Sequence, residues 1–309
     1  MWALDEEKIV LVSPNCSDLA PPSIITKRFP DGESYCRLEG VENIANKNVY
    51  ILHRLFPSPD ENLITLLQII YGAKKAGAKD IFLIAPYLPY ARADKEWLSG
   101  EVVSAKLLVK LLRENGVSKV YTWDCHFLKK PGIVEYENLT FVNKCMGEEL
   151  INLIRKTHRD IVVVSPDAGA KYIVGQTGLF MRKERGEYQD QNNQRNITTS
   201  RTINKLEPQF DKLSIQGKTV VLIDDMIASG GTMIRAIDKC YELEAKEVIC
   251  TATHGMFLDN ALLKIMLSGV KRVITTDTIL NPTSKVSIKK DIEQIIQAGQ
   301  FLPNKESKI

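Results

Sequence analysis

The sequence predicts an α/β protein of two similar doubly wound domains, each with a mostly parallel sheet, and three observations carry that prediction. Short runs rich in β-branched residues alternate with longer amphipathic stretches, the pattern of βα units around a sheet buried on both faces. The 309 residues suffice for about two domains at ~150 residues each. The rhythm also runs twice, with about four strands in each half. The halves share the pattern and not an evident sequence identity, and the predicted domains span 1–145 and 146–309.

In chain order, the first half gives strands at 9–12, 48–52, 80–85 and 119–123. Each is a short, nearly continuous apolar run of the kind a strand covered on both faces requires. Helices are expected at 61–76, 101–114 and 144–156, where apolar residues recur at helical spacing between strands. The second half repeats the strands at 161–165, 219–223, 247–252 and 272–276. Between Gly186 and Gln216 lies a polar stretch containing Gln189, Gln191, Asn192, Asn193 and Gln194, without periodicity and longer than an ordinary βα connection. It reads either as a mobile functional loop or as an inert insertion, and 304–309 as a fraying end.

Composition excludes several classes. Apolar residues at 44% and charged residues at 26% are those of a folded globular chain. Lys and Arg total 41 against 38 for Asp and Glu, and the net +3 is too weak to argue for a nucleic-acid or membrane-surface partner. Any anion must be held locally. The six cysteines, at 16, 36, 125, 145, 240 and 250, form no close pair with metal spacing and read as free thiols in a reducing compartment. No basic-then-apolar leader and no apolar run near the ~18 residues of a membrane span is present, so the expected location is the cytoplasm.

The most informative segment runs from Lys218 to Arg235. A buried strand, Thr-Val-Val-Leu-Ile, leads into Asp224 and Asp225, then Met-Ile-Ala228-Ser229-Gly230-Gly231-Thr232, then a helix. Glycines let the backbone turn tightly, so N–H groups at the helix start can face an anion that the helix dipole also favours. No Lys follows them, so this is not the nucleotide P-loop. Adjacent carboxylates repel phosphate, and they fit only where they accept hydrogen bonds from hydroxyls or hold a cation. A sugar phosphate meets both demands, and a solvated acidic turn with a glycine cap is the plainer alternative.

Strand, Asp-Asp, short loop and Gly-Thr resemble the ribose-phosphate motif of the type I phosphoribosyltransferase fold. Further stretches resemble the ribose-phosphate pyrophosphokinase family over nearly the whole chain. They are Arg28-Phe-Pro-Asp-Gly-Glu33, Pro86-Tyr-Leu-Pro-Tyr-Ala-Arg-Ala-Asp-Lys95, Gly100-Glu-Val-Val-Ser-Ala-Lys106, Asp124-Cys-His126, Ser165-Pro-Asp-Ala-Gly169, Lys183-Glu-Arg185 and Thr253-His-Gly-Met-Phe257. Their order and spacing are specific where each tripeptide alone is not. Trp97 and Gly100-Glu101 resemble archaeal members.

The resemblance implies roles residue by residue. Asp224 and Asp225 would grip the ribose hydroxyls, and Ala228, Ser229, Gly230, Gly231 and Thr232 the 5-phosphate, with Asp167 beside them. Asp167 follows an apolar run and a Pro, at the strand edge where open α/β sheets place ligands. His126 stands past another strand end, and with Asp167 it would serve the Mg²⁺ region, although Mg²⁺ prefers oxygen ligands. A hydrogen-bonded structural histidine is the alternative there, and His53, His158 and His254 carry less weight.

Phe29, Asp31 and Glu33 sit in a turn set by Pro and Asp-Gly, and would stack on and hydrogen-bond the purine of ATP across a subunit interface. An ordinary surface hairpin is the alternative. Arg92, Asp94 and His126 would complete the ATP site, Arg92 through its planar fork. Lys183 and Arg185 match the basic pair of the catalytic loop, where cations stabilise charge spread over equatorial oxygens in pyrophosphoryl transfer. A solvated charge run is the alternative.

Ala93 stands where the family usually has Gln, Val102 where Pro is common and Ala228 where many members are acidic, and the region after Arg185 is longer. The expected activity is Mg²⁺-dependent transfer from ATP to ribose 5-phosphate in a homo-oligomer of at least two copies. A phosphoribosyltransferase that consumes phosphoribosyl pyrophosphate and a non-catalytic regulatory relative are the other readings.

Overall fold

A computed structural model describes residues 7–170, 172–174, 178–185 and 203–298. The expected loop from 186 to 202, the fraying tail and the side chains of Lys183 and Arg185 lie outside the described residues.

In chain order the elements are β1 (Lys8–Val12), β2 (Ile24–Arg28), β3 (Ser34–Leu38), β4 (Asn48–Leu52), α1 (Pro59–Lys75), β5 (Asp80–Ile84), α2 (Ser104–Glu114), β6 (Val117–Trp123), β7 (Gly132–Tyr136) and β8 (Leu139–Lys144). There follow α3 (Gly147–Arg155), β9 (Ile161–Ser165), β10 (Leu179–Arg185), β11 (Ile203–Pro208), β12 (Thr219–Ile227), α4 (Gly231–Glu242), β13 (Glu247–Gly255), α5 (Ala261–Leu267), β14 (Arg272–Thr276), β15 (Ser284–Val286) and α6 (Lys289–Ala298).

The chain divides into two compact units, one of Met1–Cys145, Asp277–Leu280 and Ser287–Ile309, the other of Met146–Thr276 and Asn281–Val286. The first holds a six-stranded sheet of order β1-β4-β5-β6-β8-β7, parallel except for β7. The second holds a seven-stranded sheet of order β11-β10-β9-β12-β13-β14-β15, parallel except for β11. Each is therefore an α/β unit built on a mostly parallel sheet, and the two runs β1-β4-α1-β5-α2-β6 and β9-β12-α4-β13-α5-β14 share one topology.

Packing explains why these segments are helices. α2 buries Ala105, Leu108, Val109 and Leu112, and α4 buries Met233, Ala236, Ile237 and Cys240, each an i, i+3, i+4, i+7 stripe against its own sheet. β12 is buried at every position, as a central parallel strand must be. In the first unit α6 turns an acid inward: Asp291, only 6% exposed, accepts hydrogen bonds from Trp123 Nε1 (3.0 Å) and Lys144 Nζ (2.5 Å). A buried carboxylate needs such partners.

Four expectations change. The expected helix 144–156 begins only at Gly147, because Lys144 ends β8 in register with Trp123. The helix expected from 101 begins at Ser104. The polar stretch 186–216 is not structureless at its distal end: β11 pairs antiparallel with β10, Met181 opposite Pro208 and Lys183 opposite Leu206. Finally, β12 runs to Ile227, so Asp224 and Asp225 lie inside the strand and not in the turn after it.

Candidate active site

At the carboxyl end of β12 the sheet turns into a helix without capping it. Asp224 pairs with Ala252 and Met226 with His254 of β13, which carries the strand through the acidic pair. Both carboxylates are buried, 8% and 6% exposed, and each is oriented by the backbone beyond it. The Asp225 N–H donates to Asp224 Oδ1 (3.0 Å) and the Met226 N–H to Asp225 Oδ1 (2.8 Å). Fixed in this way, the pair suits hydroxyl or cation partners.

Ala228, Ser229 and Gly230 then turn the chain, Gly230 with φ +79° in the left-handed region that glycine enters at no cost. No side chain caps α4, and its first turn carries no acid. The first intrahelical bond runs from Ile234 N–H to the Gly230 carbonyl (2.9 Å), so the N–H groups of Gly231, Thr232 and Met233 precede the ladder. At Gly231 an added Cβ would meet nothing within 4 Å, while Ser229 is exposed. Three amides outside the helical ladder and the positive end of a helix dipole thus follow two carboxylates, with open space at Gly231, an arrangement that suits an anion carrying hydroxyls.

Asp167 sits at the same edge. β9 pairs with β12 up to Val164 beside Leu222, and Asp167 closes the following turn, its Oδ1 accepting from the Gly169 N–H (3.0 Å). The Ser165 hydroxyl donates to the Asp167 carbonyl (2.6 Å). This half-buried carboxylate and the acidic pair are oxygen donors, the type Mg²⁺ selects. Among the described residues no group of three His, Cys, Asp or Glu side chains gathers to hold a metal. The donors fit a Mg²⁺ that keeps its waters and leans on one or two protein groups and substrate phosphates, and not a protein cage.

In the first unit His126 lies half-buried in the turn after β6, and Arg92 is exposed after β5. Asp94 forms an ion pair with Lys129 (3.5 Å), joining the exits of β5 and β6. Phe29, Asp31 and Glu33 lie in the β2–β3 turn and not on the sheet edge. The Phe29 N–H donates to the Glu33 carbonyl (2.9 Å), and the Glu33 N–H to Asp31 Oδ1 (3.1 Å). The Phe29 ring is 49% exposed, edge-on to Tyr35 with centroids 6.0 Å apart. An open cleft of about 560 Å³, lined by Arg28, Glu33, Asp60, Glu61, Ile64 and Gln68, opens where this hairpin packs on α1.

Sequence reasoning gave little weight to the polar group at the end of β4. His53 is buried, its Nε2 donating to the Asn62 carbonyl (2.9 Å) and its Nδ1 accepting from the Ser13 hydroxyl (2.7 Å). Burial lowers its pKa to about 4, so the ring is neutral. Arg54 spends its guanidinium on Asp18 (2.9 and 3.0 Å) and on the carbonyls of Asn15 (2.5 Å), Asp277 (2.8 Å) and Thr278 (2.8 Å). Their signal is only a His-Arg pair after an apolar run. The six cysteines form no disulfide, and burial pushes the thiols of Cys16 and Cys240 up to about 12. Among the described residues no helix is long and apolar enough to cross a membrane.

Fold and site together define a protein with two phosphoribosyltransferase-type units, one of which carries the glycine turn beside an acidic pair. Comparison with known proteins agrees and goes further. Residues 16–116 match the family model described as the N-terminal domain of ribose phosphate pyrophosphokinase, and residues 143–283 match the phosphoribosyl transferase domain. A ribose-phosphate pyrophosphokinase of Sulfolobus acidocaldarius is 32% identical over 87% of this chain and 89% of its own length. One from Methanopyrus kandleri is 30% identical over 91% of both. The crystal structure of a phosphoribosylpyrophosphate synthetase from Mycobacterium smegmatis superposes with a TM-score of 0.76 at 25% identity, over 95% of this chain and 98% of that one. The chain belongs to the ribose-phosphate pyrophosphokinase family.

Proposed function

We propose that this chain is a cytoplasmic enzyme that transfers the pyrophosphoryl group of Mg-ATP to the anomeric hydroxyl of ribose 5-phosphate, giving phosphoribosyl pyrophosphate and AMP. The observation that carries the reading is the uncapped glycine turn at Gly230-Gly231 beside the buried Asp224-Asp225 pair, in a member of this family. The sugar hydroxyls donate to Asp224 and Asp225, and the 5-phosphate accepts from the 228–232 turn and the start of α4.

Phe29 offers an exposed ring to the adenine, Asp31 and Glu33 accept from its amino group, Arg92 and His126 meet the phosphate end, and Asp94, ion-paired with Lys129 (3.5 Å), completes the ATP site. The half-exposed Phe29 turn supports a homo-oligomer of at least two copies, in which a neighbour completes the nucleotide site. Asp167 would hold Mg²⁺ together with the substrate phosphates, and a bound Mg²⁺ would supply charge neutralisation at the transferring group. The anomeric oxygen attacks the β-phosphorus, the bond from that phosphorus to the α–β bridging oxygen breaks, AMP leaves carrying that oxygen, and the hydroxyl proton passes to solvent. Lys183 and Arg185 lower the barrier by pairing with charge that develops only in transit.

The test is incubation with ATP, Mg²⁺ and ribose 5-phosphate while AMP is followed. AMP formed only when the sugar is present supports the assignment. ADP alone, or AMP without sugar, refutes it.

A further inference from the structure

The connection after β13 is held in a costly backbone. Phe257, Asp259 and Asn260 adopt φ of 50°, 53° and 60°, a left-handed region that side chains with a Cβ disfavour. Such conformations persist only where the surroundings over-determine them. Here the surroundings are the exit of β12. The N–H groups of Met256 and Phe257 both donate to the Ile227 carbonyl (3.0 and 3.1 Å), and that of Leu258 donates to the Ala228 carbonyl (3.0 Å). These carbonyls immediately precede Ser229–Thr232. From α5, Ala261 and Ile265 press on Gly230, where a Cβ would come within 3.2 and 3.3 Å. The floor under the glycine turn is therefore the 256–265 segment.

One side chain ties that segment to the sheet edge. Asn281 donates from Nδ2 to the Gly255 carbonyl (3.2 Å), and its Oδ1 accepts from the Thr283 N–H (2.8 Å) and hydroxyl (2.6 Å). The Thr283 N–H can only donate and the Gly255 carbonyl only accept, which fixes the amide's orientation. Gly255 has no room for a side chain: a Cβ would lie 2.6 Å from the Phe257 ring and 2.7 Å from Asn281 Nδ2.

We propose that Asn281 is a positioning residue for the sugar-phosphate turn. It acts through Gly255 and the 256–258 connection to fix the carbonyls of Ile227 and Ala228, and hence the direction in which the first amides of α4 point. The proposal rests on reading Asp224–Thr232 as the ribose 5-phosphate site.

Asn281→Asp is the discriminating variant, since it keeps an acceptor for Thr283 and replaces the donor facing Gly255 with an oxygen. Its KM for ribose 5-phosphate, and the Kd measured by calorimetry without ATP, are expected to rise about tenfold, the worth of one hydrogen bond. The KM for ATP and kcat at saturating sugar should change less than twofold. Asn281→Ala should show the same split with a larger loss of stability. A merely structural Asn281 would lower the unfolding midpoint and leave the two KM values in their original ratio, and that result overturns the proposal.

Wild type that binds ribose 5-phosphate, with both variants binding equally well, sinks the proposal alone. Wild type that binds none sinks the site reading and the proposal with it. Should neither variant fold, hydrogen exchange on the wild type decides. Amides of 256–258 that exchange slowly before sugar is added support a preformed brace, and amides that slow only on binding refute it.

Discussion

The turn after β4 and the turn after β12 occupy the same place in the two units and have opposite chemistry. Each lies beyond a five-residue run, 48–52 or 219–223, and a polar pair, His53-Arg54 just past the end of β4 and Asp224-Asp225 still within β12. In the first unit the polar groups are spent on the protein itself. Ser13 and the Asn62 carbonyl saturate His53, the Asn62 amide donates to the Pro57 and Ser58 carbonyls, and Asp60 and Glu61 place negative charge in the first turn of α1. In the second unit glycines replace side chains and no acid enters the first turn, while neither helix has a side-chain cap. If the second turn takes the phosphate as proposed, an anion site on this topology is made by what the turn leaves undone. Filling it with local hydrogen bonds turns the same connection into a structural joint.

Lys183→Ala separates turnover from the open turn most sharply. If sugar binding belongs to the glycine turn and Lys183 acts on developing charge, kcat should fall by ~10³ while calorimetric affinity for ribose 5-phosphate stays within twofold. Equal loss of both would move Lys183 into binding or folding and blur the contrast between the two turns.

The closed turn answers to pH. The folded pKa of His53 lies at about 4, below the ~6.5 of an unfolded chain. Above pH 6.5 neither state carries the proton and its stability contribution is complete. As pH falls from there toward 4 the unfolded chain takes up a proton that the folded one refuses, and about 3 kcal/mol is lost. Urea titrations of the wild type and His53→Gln at pH 7 and pH 4.5 should show the difference shrinking in the variant. An unchanged slope would mean that the ring titrates freely.

Gly231→Glu makes the open turn more like the closed one. Because the site has room, the unfolding midpoint should move by only a few degrees, while the KM for ribose 5-phosphate rises roughly 30-fold through charge at the helix start. A KM that does not move would place the phosphate elsewhere.

The eight sheet strands of the sequence reading are legible because parallel strands buried on both faces are apolar throughout. The end of β12 was not. Its last four residues, two of them acidic, pair with the equally polar His254 end of β13, and polarity at a carboxyl edge looks like a turn until the register is known. β7 and β8 are joined by Glu137 and Asn138, both with positive φ, without the Asn-Gly or Asp-Gly pair that announces a hairpin. β10 ends in Arg182-Lys183-Glu184-Arg185, where charge on every residue hides the alternation. The glycine turn and its carboxylates were readable from local chemistry, whereas Phe29, Arg92, His126 and Lys183 gained roles only through the family likeness. Asn281 and the 256–258 brace act through backbone hydrogen bonds between segments far apart in sequence, which no local pattern encodes.

The return of α6 to the first unit sets the timing of synthesis. A ribosome finishes β1 to β8 long before it makes Asp291, the buried partner of Trp123 and Lys144. Until that helix emerges, the nascent first unit lacks the carboxylate to which Trp123 Nε1 and Lys144 Nζ donate. That pairing can form only after the chain of the second unit, which precedes α6, has been made.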